Sequence, residues 1–286
     1  MRVHEHPGTG RPFASPVPAG TGWPGDPASA STPVATGPRD VGTLATAAET
    51  LPVLEARVSV CRACPRLVAW RESVATTGRR ASFAHEPYWG RPSPGFGDTR
   101  PALLVVGLAP AANGANRTGR VFTGDRSGDW IWAALHRAGY ASVPWSRGAG
   151  DGQQLAGARI VPAVRCAPPA NRPTPGERDT CAPWFDRELQ LVAPGLRVVL
   201  VLGGFAFDAM LGAARRLGWQ VPVPRPRFGH GVQVPLAPAS GPGVVLLASY
   251  HVSQQNTFTG RLTEAMLDDV LSQARQITHP ARGSSL

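Results

Sequence analysis

Four short apolar runs alternate with segments of helical pattern, and this alternation constrains the fold more than any other feature of the sequence. The runs span residues 102–106, 158–164, 198–202 and 244–248. Helical spacing of apolar side chains follows them over residues 128–138, 175–192, 205–217 and 260–277. Thr174, Pro175 and Glu177 match a capping box that begins the second of these helices. The alternation predicts an α/β fold with a parallel sheet that carries helices on both faces.

Polar segments follow three of the four apolar runs. They read GLAPAANGANRTGRVFTGD (107–125), RCAPPANRPTP (165–175) and HVSQQNTFTGRLT (251–263). In an open sheet of this class, ligands bind beyond the carboxyl ends of the strands. The sequence therefore predicts a ligand site formed by these three segments together.

The charge of the chain limits its chemistry and indicates a partner. The formal net charge is +10, and all 29 basic side chains are Arg. Without Lys, the chain has neither a P-loop lysine nor a lysine that could form a Schiff base. A pI near 10.9 indicates a polyanionic partner such as nucleic acid, although a solvated basic surface without a ligand is the alternative.

Hydropathy and terminal sequence lead us to expect a cytoplasmic protein. No apolar run approaches the roughly 18 residues that indicate a membrane span. The N-terminal region also lacks the compact basic and apolar segments of a signal peptide. We expect no membrane partner.

The two ends of the chain differ in composition from the rest. The first forty positions hold eight Pro and six Gly, with Ser, Thr and Ala filling most of the others. Such a segment buries too little apolar surface to offset its ordering entropy. We therefore predict a disordered tail over residues 1–45, a single domain over 46–278 and a flexible C-terminal tail over 279–286.

The four cysteines suggest a shared metal site. Cys61 and Cys64 form a CxxC pair, and Cys166 and Cys181 follow the second apolar run. Disulfides are rare in the cytoplasm. The spacing leaves zinc, an iron–sulfur cluster and four unrelated buried thiols open. Arg62, Arg66 and Arg165 lie near these cysteines in sequence and would stabilise the negative charge of a cluster.

The three polar segments resemble motifs of the type B, or family 5, uracil-DNA glycosylases. The lead-in WGRPSPGFGD (89–98) and the four cysteines are also similar to that family. The resemblance covers roughly residues 55 to 278. Two positions depart from the usual motifs, since members often have His where Asn113 stands and Pro where Val252 stands. Both lie in the predicted site segments and would tune the range of substrates.

The resemblance implies a fold, a cofactor and an activity. It implies a three-layer α/β/α sandwich with a central four-stranded parallel sheet. It implies a structural [4Fe–4S] cluster held by Cys61, Cys64, Cys166 and Cys181. The implied activity is the flipping and hydrolytic excision of uracil, and of other deaminated or modified bases, from DNA in base excision repair. Since the chain has no lysine nucleophile, we expect a monofunctional monomer that leaves an abasic site and does not cut the strand.

Asp125, His251 and Asn171 are the candidate catalytic residues that the resemblance implies. Asp125 would stabilise the sugar cation and orient water, and its alternative role is to cap a helix, which Asp129 could also do. His251 would donate to uracil O2, in a protonation state that the sequence leaves open. Asn171 would read a base edge or hold water, and its alternative role is an Asx turn.

The same motifs supply candidate residues for binding substrate. The ring of Phe122 would stack on the flipped pyrimidine, the alternative being a core phenylalanine. Gly107 and Ala109 would keep the adjoining loop small. A polar loop would contact phosphates or enter the gap left by the flipped base. The candidates in that loop are Ser253, Gln254, Gln255, Asn256 and Arg261.

Two other functions compete with base excision. The first is a non-catalytic iron–sulfur protein that binds nucleic acid on the same scaffold. The second is an iron–sulfur electron carrier, which the absence of a flavin or nicotinamide fingerprint disfavours.

Overall fold

A computed structural model describes residues 3–279 of the protein, and in these residues a six-stranded mixed sheet lies between two layers of helices. The strands are β1 (Val3–Glu5), β2 (Pro12–Ala14), β3 (Phe96–Gly97), β4 (Leu103–Gly107), β5 (Ala158–Pro162), β6 (Val198–Leu202), β7 (Gln233–Leu236) and β8 (Val244–Ser249). The helices are α1 (Pro38–Thr46), α2 (Leu51–Ser59), α3 (Pro65–Thr76), α4 (Ala115–Thr118), α5 (Arg126–Arg137), α6 (Pro175–Val192), α7 (Gly204–Arg216), α8 (Gln254–Phe258) and α9 (Glu264–Thr278).

The central sheet has the order β3-β5-β4-β6-β8-β7. Its four inner strands are parallel, and these are the four apolar runs of the sequence. They read as continuous apolar runs because both faces of the sheet are covered. The antiparallel edge strands β3 and β7 were not predicted, since β3 has only two residues and Pro235 interrupts the pattern of β7.

The two faces of the sheet carry separate cores, as a three-layer sandwich requires. Alternate side chains of one strand point to opposite faces, so Leu104 and Val106 pack with α6 and α7, while Leu103 and Val105 pack with α5 and α9. Helices α1 and α2 lie against α6 in the outer part of the first layer. The predicted α/β/α sandwich with a four-stranded parallel centre is confirmed, and the two antiparallel edge strands extend it.

Helix starts follow local capping signals. The capping box predicted at Thr174 is present, because its hydroxyl accepts from Glu177 N and the Glu177 carboxylate accepts from Thr174 N at 2.8 Å. The single helix predicted over residues 260–277 was wrong at its start. Gly260 adopts φ +69 and ends a short helix, and Thr263 caps the next helix by accepting from Met266 N at 3.2 Å.

The prediction of a disordered N-terminal tail disagrees with the structure. Phe13 and Trp23 are buried in a cluster with Trp89 and Ala149, so the segment finds in the rest of the chain the apolar partners that it lacks by itself. A buried ion pair joins Asp26 to Arg91 at 2.8 Å. Residues 3–45 therefore pack onto the domain that the sequence analysis began at residue 46.

The last two predictions about the fold concern the C-terminal tail and membrane-spanning helices. Helix α9 ends at Thr278, and the predicted C-terminal tail lies, beyond His279, outside the described residues. Between residues 3 and 279, no helix combines the length and apolar character that crossing a membrane requires.

Candidate active site

A cavity of about 460 Å³ opens at the carboxyl edge of the parallel strands. All three predicted polar segments contribute to its wall, as the topology of a parallel sheet requires. Its volume is within the range of small-molecule sites. The lining residues are Leu108, Ala109, Ala111, Val121, Phe122, Asp125, Arg126, Ser127, Asn171, His251, Ser253, Gln254 and Gln255.

Asp125 both caps a helix and faces this cavity. It is the N-cap of α5, where its Oδ1 accepts from Gly128 N at 2.9 Å. The capping role that the sequence left as an alternative is therefore real, and Asp129 lies one turn into the helix instead of capping it. Because the cap uses only Oδ1, the carboxylate keeps Oδ2 for a second partner.

Asp125 is partly buried, and one side of its carboxylate is closely packed. Burial raises the pKa of the Asp125 carboxyl, against the opposing effects of the Gly128 N–H and the more distant Arg117. Gly114 lies directly against Oδ2, so a Cβ at residue 114 would overlap the carboxylate. The glycine therefore permits the close approach of this loop to Asp125.

His251 follows β8 and is held as a neutral imidazole. Burial alone lowers the pKa of His251 to about 4. Its ring centroid lies 6.2 Å from that of Phe122, and Gly203 lies behind its Cβ. The side chain of Asn256 donates to the His251 carbonyl at 2.8 Å and so holds the backbone of this residue.

Phe122 adopts a left-handed backbone, with φ +51, which is rare for a residue other than glycine. Its carbonyl accepts from Trp132 Nε1 at 2.7 Å, and its ring lies against Gly107, where a Cβ would come within 2.7 Å of Cζ. Phe122 is thus buried and lines the cavity at once. Gly107 lies behind the ring, whereas Ala109 lines the cavity itself.

Asn171 directs an unbonded amide toward the cavity. It follows Ala170, and the two residues have φ +54 and +52. Within residues 3–279 its side chain has no hydrogen-bond partner, so the Asx turn that was its alternative is not formed. The strained turn places the amide at the cavity without using its hydrogen-bonding groups.

The predicted polar loop divides into two parts. Ser253, Gln254 and Gln255 line the cavity. Asn256 supports His251, as described above, and Arg261 lies outside the lining, with its Cζ 4.8 Å from the Tyr250 ring centroid. Most of this loop forms the short helix α8, which the sequence analysis did not predict.

Some functional positions were missed in the sequence. Arg126 and Ser127, in the first turn of α5, line the cavity beside Asp125. Arg126 also lies 5.3 Å from the ring centroid of Phe258, a side chain that is 68% exposed. Their position directly after a candidate catalytic residue was the available signal. Nothing in local periodicity marks Phe258 as exposed.

The two departures from the usual motifs lie behind the cavity. The Asn113 amide oxygen accepts from the Tyr88 hydroxyl at 2.9 Å. Val252 is buried and packs in the core on the α5 and α9 side of the sheet. Neither residue contributes to the cavity wall, so an effect on substrate range would act through the loops that they support.

The four cysteines line a second cavity, between α3 and α6. Burial and the neighbouring thiols raise the pKa of Cys64 to about 12 and that of Cys181 still further. Among residues 3–279, no group of three or more His, Cys, Asp or Glu side chains is arranged to hold a single metal ion.

Unpaired N–H groups surround this cysteine cavity and support a charged occupant. Arg71 and Arg165 line it, and Arg71 donates to Cys166 Sγ at 2.9 Å. Arg71 Nε, Arg165 Nε and Nη1, and Trp184 Nε1 are buried without a partner in the described residues. Such donors are costly unless an acceptor is supplied, and cluster sulfurs are acceptors of this kind.

The basic residues that lie near the cysteines in the sequence have different surroundings in the structure. Arg165 lines the cavity, and its backbone N–H donates to Cys181 Sγ at 3.4 Å. Arg62 and Arg66 instead form ion pairs with Glu72 and Glu177. The sequence analysis missed Arg71, because the cysteine that it contacts, Cys166, is 95 residues away in the chain.

Comparison with known proteins assigns this chain to a class of enzymes. The sequence matches the Uracil DNA glycosylase superfamily over residues 94–275. This class consists of DNA glycosylases, which are hydrolases of N-glycosidic bonds.

Three relatives, each named type-5 uracil-DNA glycosylase, narrow the class. The protein of Mycobacterium bovis is 57% identical over 272 residues, which cover 95% of this chain and 98% of the relative. That of Thermus thermophilus is 49% identical over 220 residues, covering 77% and 94%. That of Pyrobaculum aerophilum is 43% identical over 218 residues, covering 76% and 89%. The chain therefore belongs to the type-5 branch of the uracil-DNA glycosylase superfamily, and the resemblance found in the sequence is confirmed.

Proposed function

We propose that this chain removes uracil from DNA by hydrolysis and leaves an abasic site, as the first step of base excision repair. Its family supports this function, and so does one observation in particular. A carboxylate, a neutral imidazole and an unbonded amide line a single cavity at the carboxyl edge of the sheet. Because one chain supplies the whole wall, we expect the monomer to be the active unit, acting on DNA in the nucleoid.

In the proposed reaction the bond between C1′ and uracil N1 breaks, and its electron pair leaves with the base. Water forms the new bond to C1′, and its proton is finally taken up by the uracil anion. Asp125 stabilises the sugar cation and orients the water, using the oxygen that the helix cap leaves free.

His251 acts on the departing base. An imidazole with a pKa of about 4 is neutral at pH 7, so it donates a hydrogen bond to uracil O2 instead of carrying a charge. The Asn256 side chain donates to the His251 carbonyl, and the N–H of the preceding Tyr250 donates to His230 Nδ1 at 3.2 Å. Gly203 lies behind the Cβ of His251. A donor fixed in this way requires no reorganisation during the reaction.

The cavity wall suits a flipped pyrimidine. The Phe122 ring offers a stacking face, and Asn171 offers both a donor and an acceptor to the base edge. The polar glutamines of α8 leave room for other deaminated or modified bases. A panel of oligonucleotides that each carry one such base measures this range.

The rim of the cavity suits DNA. Ser253 and Arg261 carry polar groups that contact phosphates. The exposed Phe258 ring, stacked beside Arg126, is suited to enter the gap that the flipped base leaves.

We further propose that Cys61, Cys64, Cys166 and Cys181 hold a [4Fe–4S] cluster. When bound, such a cluster would crosslink the α2–α3 loop, the segment after β5 and helix α6 without taking part in base release. Arg71, Arg165 and Trp184 would donate to its sulfurs, since each has an unpaired N–H at this cavity.

A duplex oligonucleotide with one uracil tests the activity. The purified protein is expected to release free uracil, and the strand should break only after alkali is added. A matched duplex with thymine in place of uracil is the control. Strand cleavage before alkali would contradict the hydrolytic mechanism, and DNA binding without uracil release would favour the non-catalytic alternative.

A further inference from the structure

Arg117 is a buried cation in the first site motif, and neither the cavity wall nor the DNA rim includes it. It lies in α4 and is 6% exposed. Its Nε donates to the Asn113 carbonyl and its Nη2 to the Gly124 carbonyl, both at 3.0 Å. Nη1 forms an ion pair with Glu86.

These contacts close a loop around the guanidinium. The two carbonyls that Arg117 binds belong to Asn113 and Gly124, which are eleven positions apart in the chain. Gly124 directly precedes Asp125. Arg117 thus holds the backbone at both ends of a segment that includes the left-handed Phe122. A strained residue of this kind persists only when its surroundings fix it.

Gly124 shows how close this contact is. A Cβ at this residue would overlap Arg117 Nη2, and the residue adopts φ +77, which favours glycine. Both the space and the backbone conformation at Gly124 are therefore adapted to the guanidinium. The Phe83 ring, 3.9 Å from Arg117 Cζ, packs against it as well.

The arginine also contributes charge at the site. The groups that act on the ionisation of Asp125 are Arg117 from α4, Asp129 from α5 and the N–H groups of the first turn of α5. His251, across the cavity, is neutral. Burial raises the pKa of the Asp125 carboxyl, the Gly128 N–H opposes this rise most, and Arg117 adds a smaller opposing effect.

We propose that Arg117 is a positioning residue for Asp125. It fixes the two ends of the segment 113–124 and so sets where the carboxylate stands in the cavity. Because Arg117 is almost fully buried, it does not contact a DNA phosphate directly. The inference rests on the proposed function, because it takes Asp125 to be the carboxylate that acts on the sugar.

Two substitutions separate positioning from charge. Arg117→Gln removes both the charge and the planar guanidinium that binds the two carbonyls. Arg117→Lys keeps the charge but cannot bind both carbonyls with one planar group. Single-turnover uracil release is measured from pH 5 to 9 with enzyme in excess. DNA affinity is measured by fluorescence anisotropy at several salt concentrations.

We expect Arg117→Gln to lower the rate about 10- to 100-fold, since small misplacements of catalytic groups have effects of this size. The acid limb of its pH–rate profile should move to higher pH, because the loss of a nearby positive charge raises the pKa of Asp125. The DNA affinity and the salt dependence of that affinity should stay as in the wild type. Arg117→Lys should restore the acid limb but not the rate. Glu86→Gln is the matched control, because it removes the ion pair and leaves both carbonyl contacts, and it should keep the rate within about 3-fold.

Several results would overturn the inference. One is a wild-type rate and acid limb in Arg117→Gln. Another is an equal loss of rate in Glu86→Gln, which would indicate a purely structural role. A salt slope reduced by about one would instead identify a phosphate contact. If the wild-type protein releases no uracil at all, the proposed function fails and not this inference alone. If Arg117→Gln does not fold, Arg117→Lys carries the positioning test by itself, and a wild-type rate of uracil release in that variant would overturn the inference.

Discussion

The double role of Asp125 permits a test that separates helix capping from chemistry. Asn at an N-cap accepts the same hydrogen bond that Asp125 Oδ1 takes from Gly128 N, and the two residues are about equally good caps. Asp125→Asn should therefore change the free energy of unfolding by no more than about 1 kcal/mol, the size of the lost interaction with the helix dipole. Asp125→Ala also loses the cap and should cost about 1 to 2 kcal/mol.

The rate of uracil release should follow a different order. Both variants lose the carboxylate, so both should slow single-turnover release about 10²- to 10⁴-fold. That corresponds to about 3 to 5 kcal/mol in the activation barrier, which is larger than either loss of stability. Asp129→Asn is the matched control, because Asp129 lies in the first turn of the same helix without lining the cavity. Removing its charge lowers the pKa of Asp125, which stays ionised, so this variant should release uracil at the wild-type rate at pH 7 and above.

Urea unfolding gives the stabilities, and enzyme-excess quench assays give the rates. The reasoning would be refuted if Asp125→Asn kept release within about tenfold of the wild type. In that case Asp125 would be a cap alone. A loss of activity that scaled with the loss of stability across both variants would lead to the same conclusion.

Three further predictions follow from other parts of the structure. Folding lowers the pKa of His251 from about 6.5 to about 4, so the unfolded chain takes up a proton that the folded protein refuses. The contribution of His251 to the free energy of unfolding should be fully present above pH 6.5 and should fall by about 2 kcal/mol between pH 7 and pH 5. Urea unfolding of His251→Gln should lack this part of the loss of stability. Gly107→Ala would place a Cβ within 2.7 Å of Phe122 Cζ and should lower uracil release about tenfold at a stability cost of about 1 to 3 kcal/mol, whereas a wild-type rate would show that the ring moves aside freely. Cys181→Ala should lose bound iron, visible absorbance and thermal stability together, and a wild-type protein that purifies with zinc or without metal would contradict the proposed cluster.

Much of the architecture was predictable because buried parallel strands leave a direct mark on the sequence. The four inner strands read as apolar runs, and the capping box at Thr174 depends only on residues three apart. The motifs similarly identified Asp125, His251 and Asn171, which the structure brings to one cavity. Their assembly follows from the shared edge at which parallel strands end.

Contacts between distant segments account for what the sequence could not predict. The first 45 residues appeared unable to bury enough surface, yet Trp23 and Phe13 pack with Trp89, a residue far along the chain. Asn256, expected to contact DNA, also holds the backbone of His251, a contact that the sequence does not indicate. Arg71 reaches Cys166, and no local pattern indicates such a contact.

The sequence by itself determined the parallel sheet, the order of its helices and the residue types at the site, because these depend on periodicity and on short motifs. Only the tertiary structure decided the charge states and roles of those residues. Burial makes His251 neutral, and the N-cap engages one oxygen of Asp125. Arg117 binds the carbonyls of Asn113 and Gly124 in the segment before Asp125. Desolvation and the direction of a hydrogen bond depend on neighbours that are brought together by folding, and these neighbours have no fixed separation in the chain.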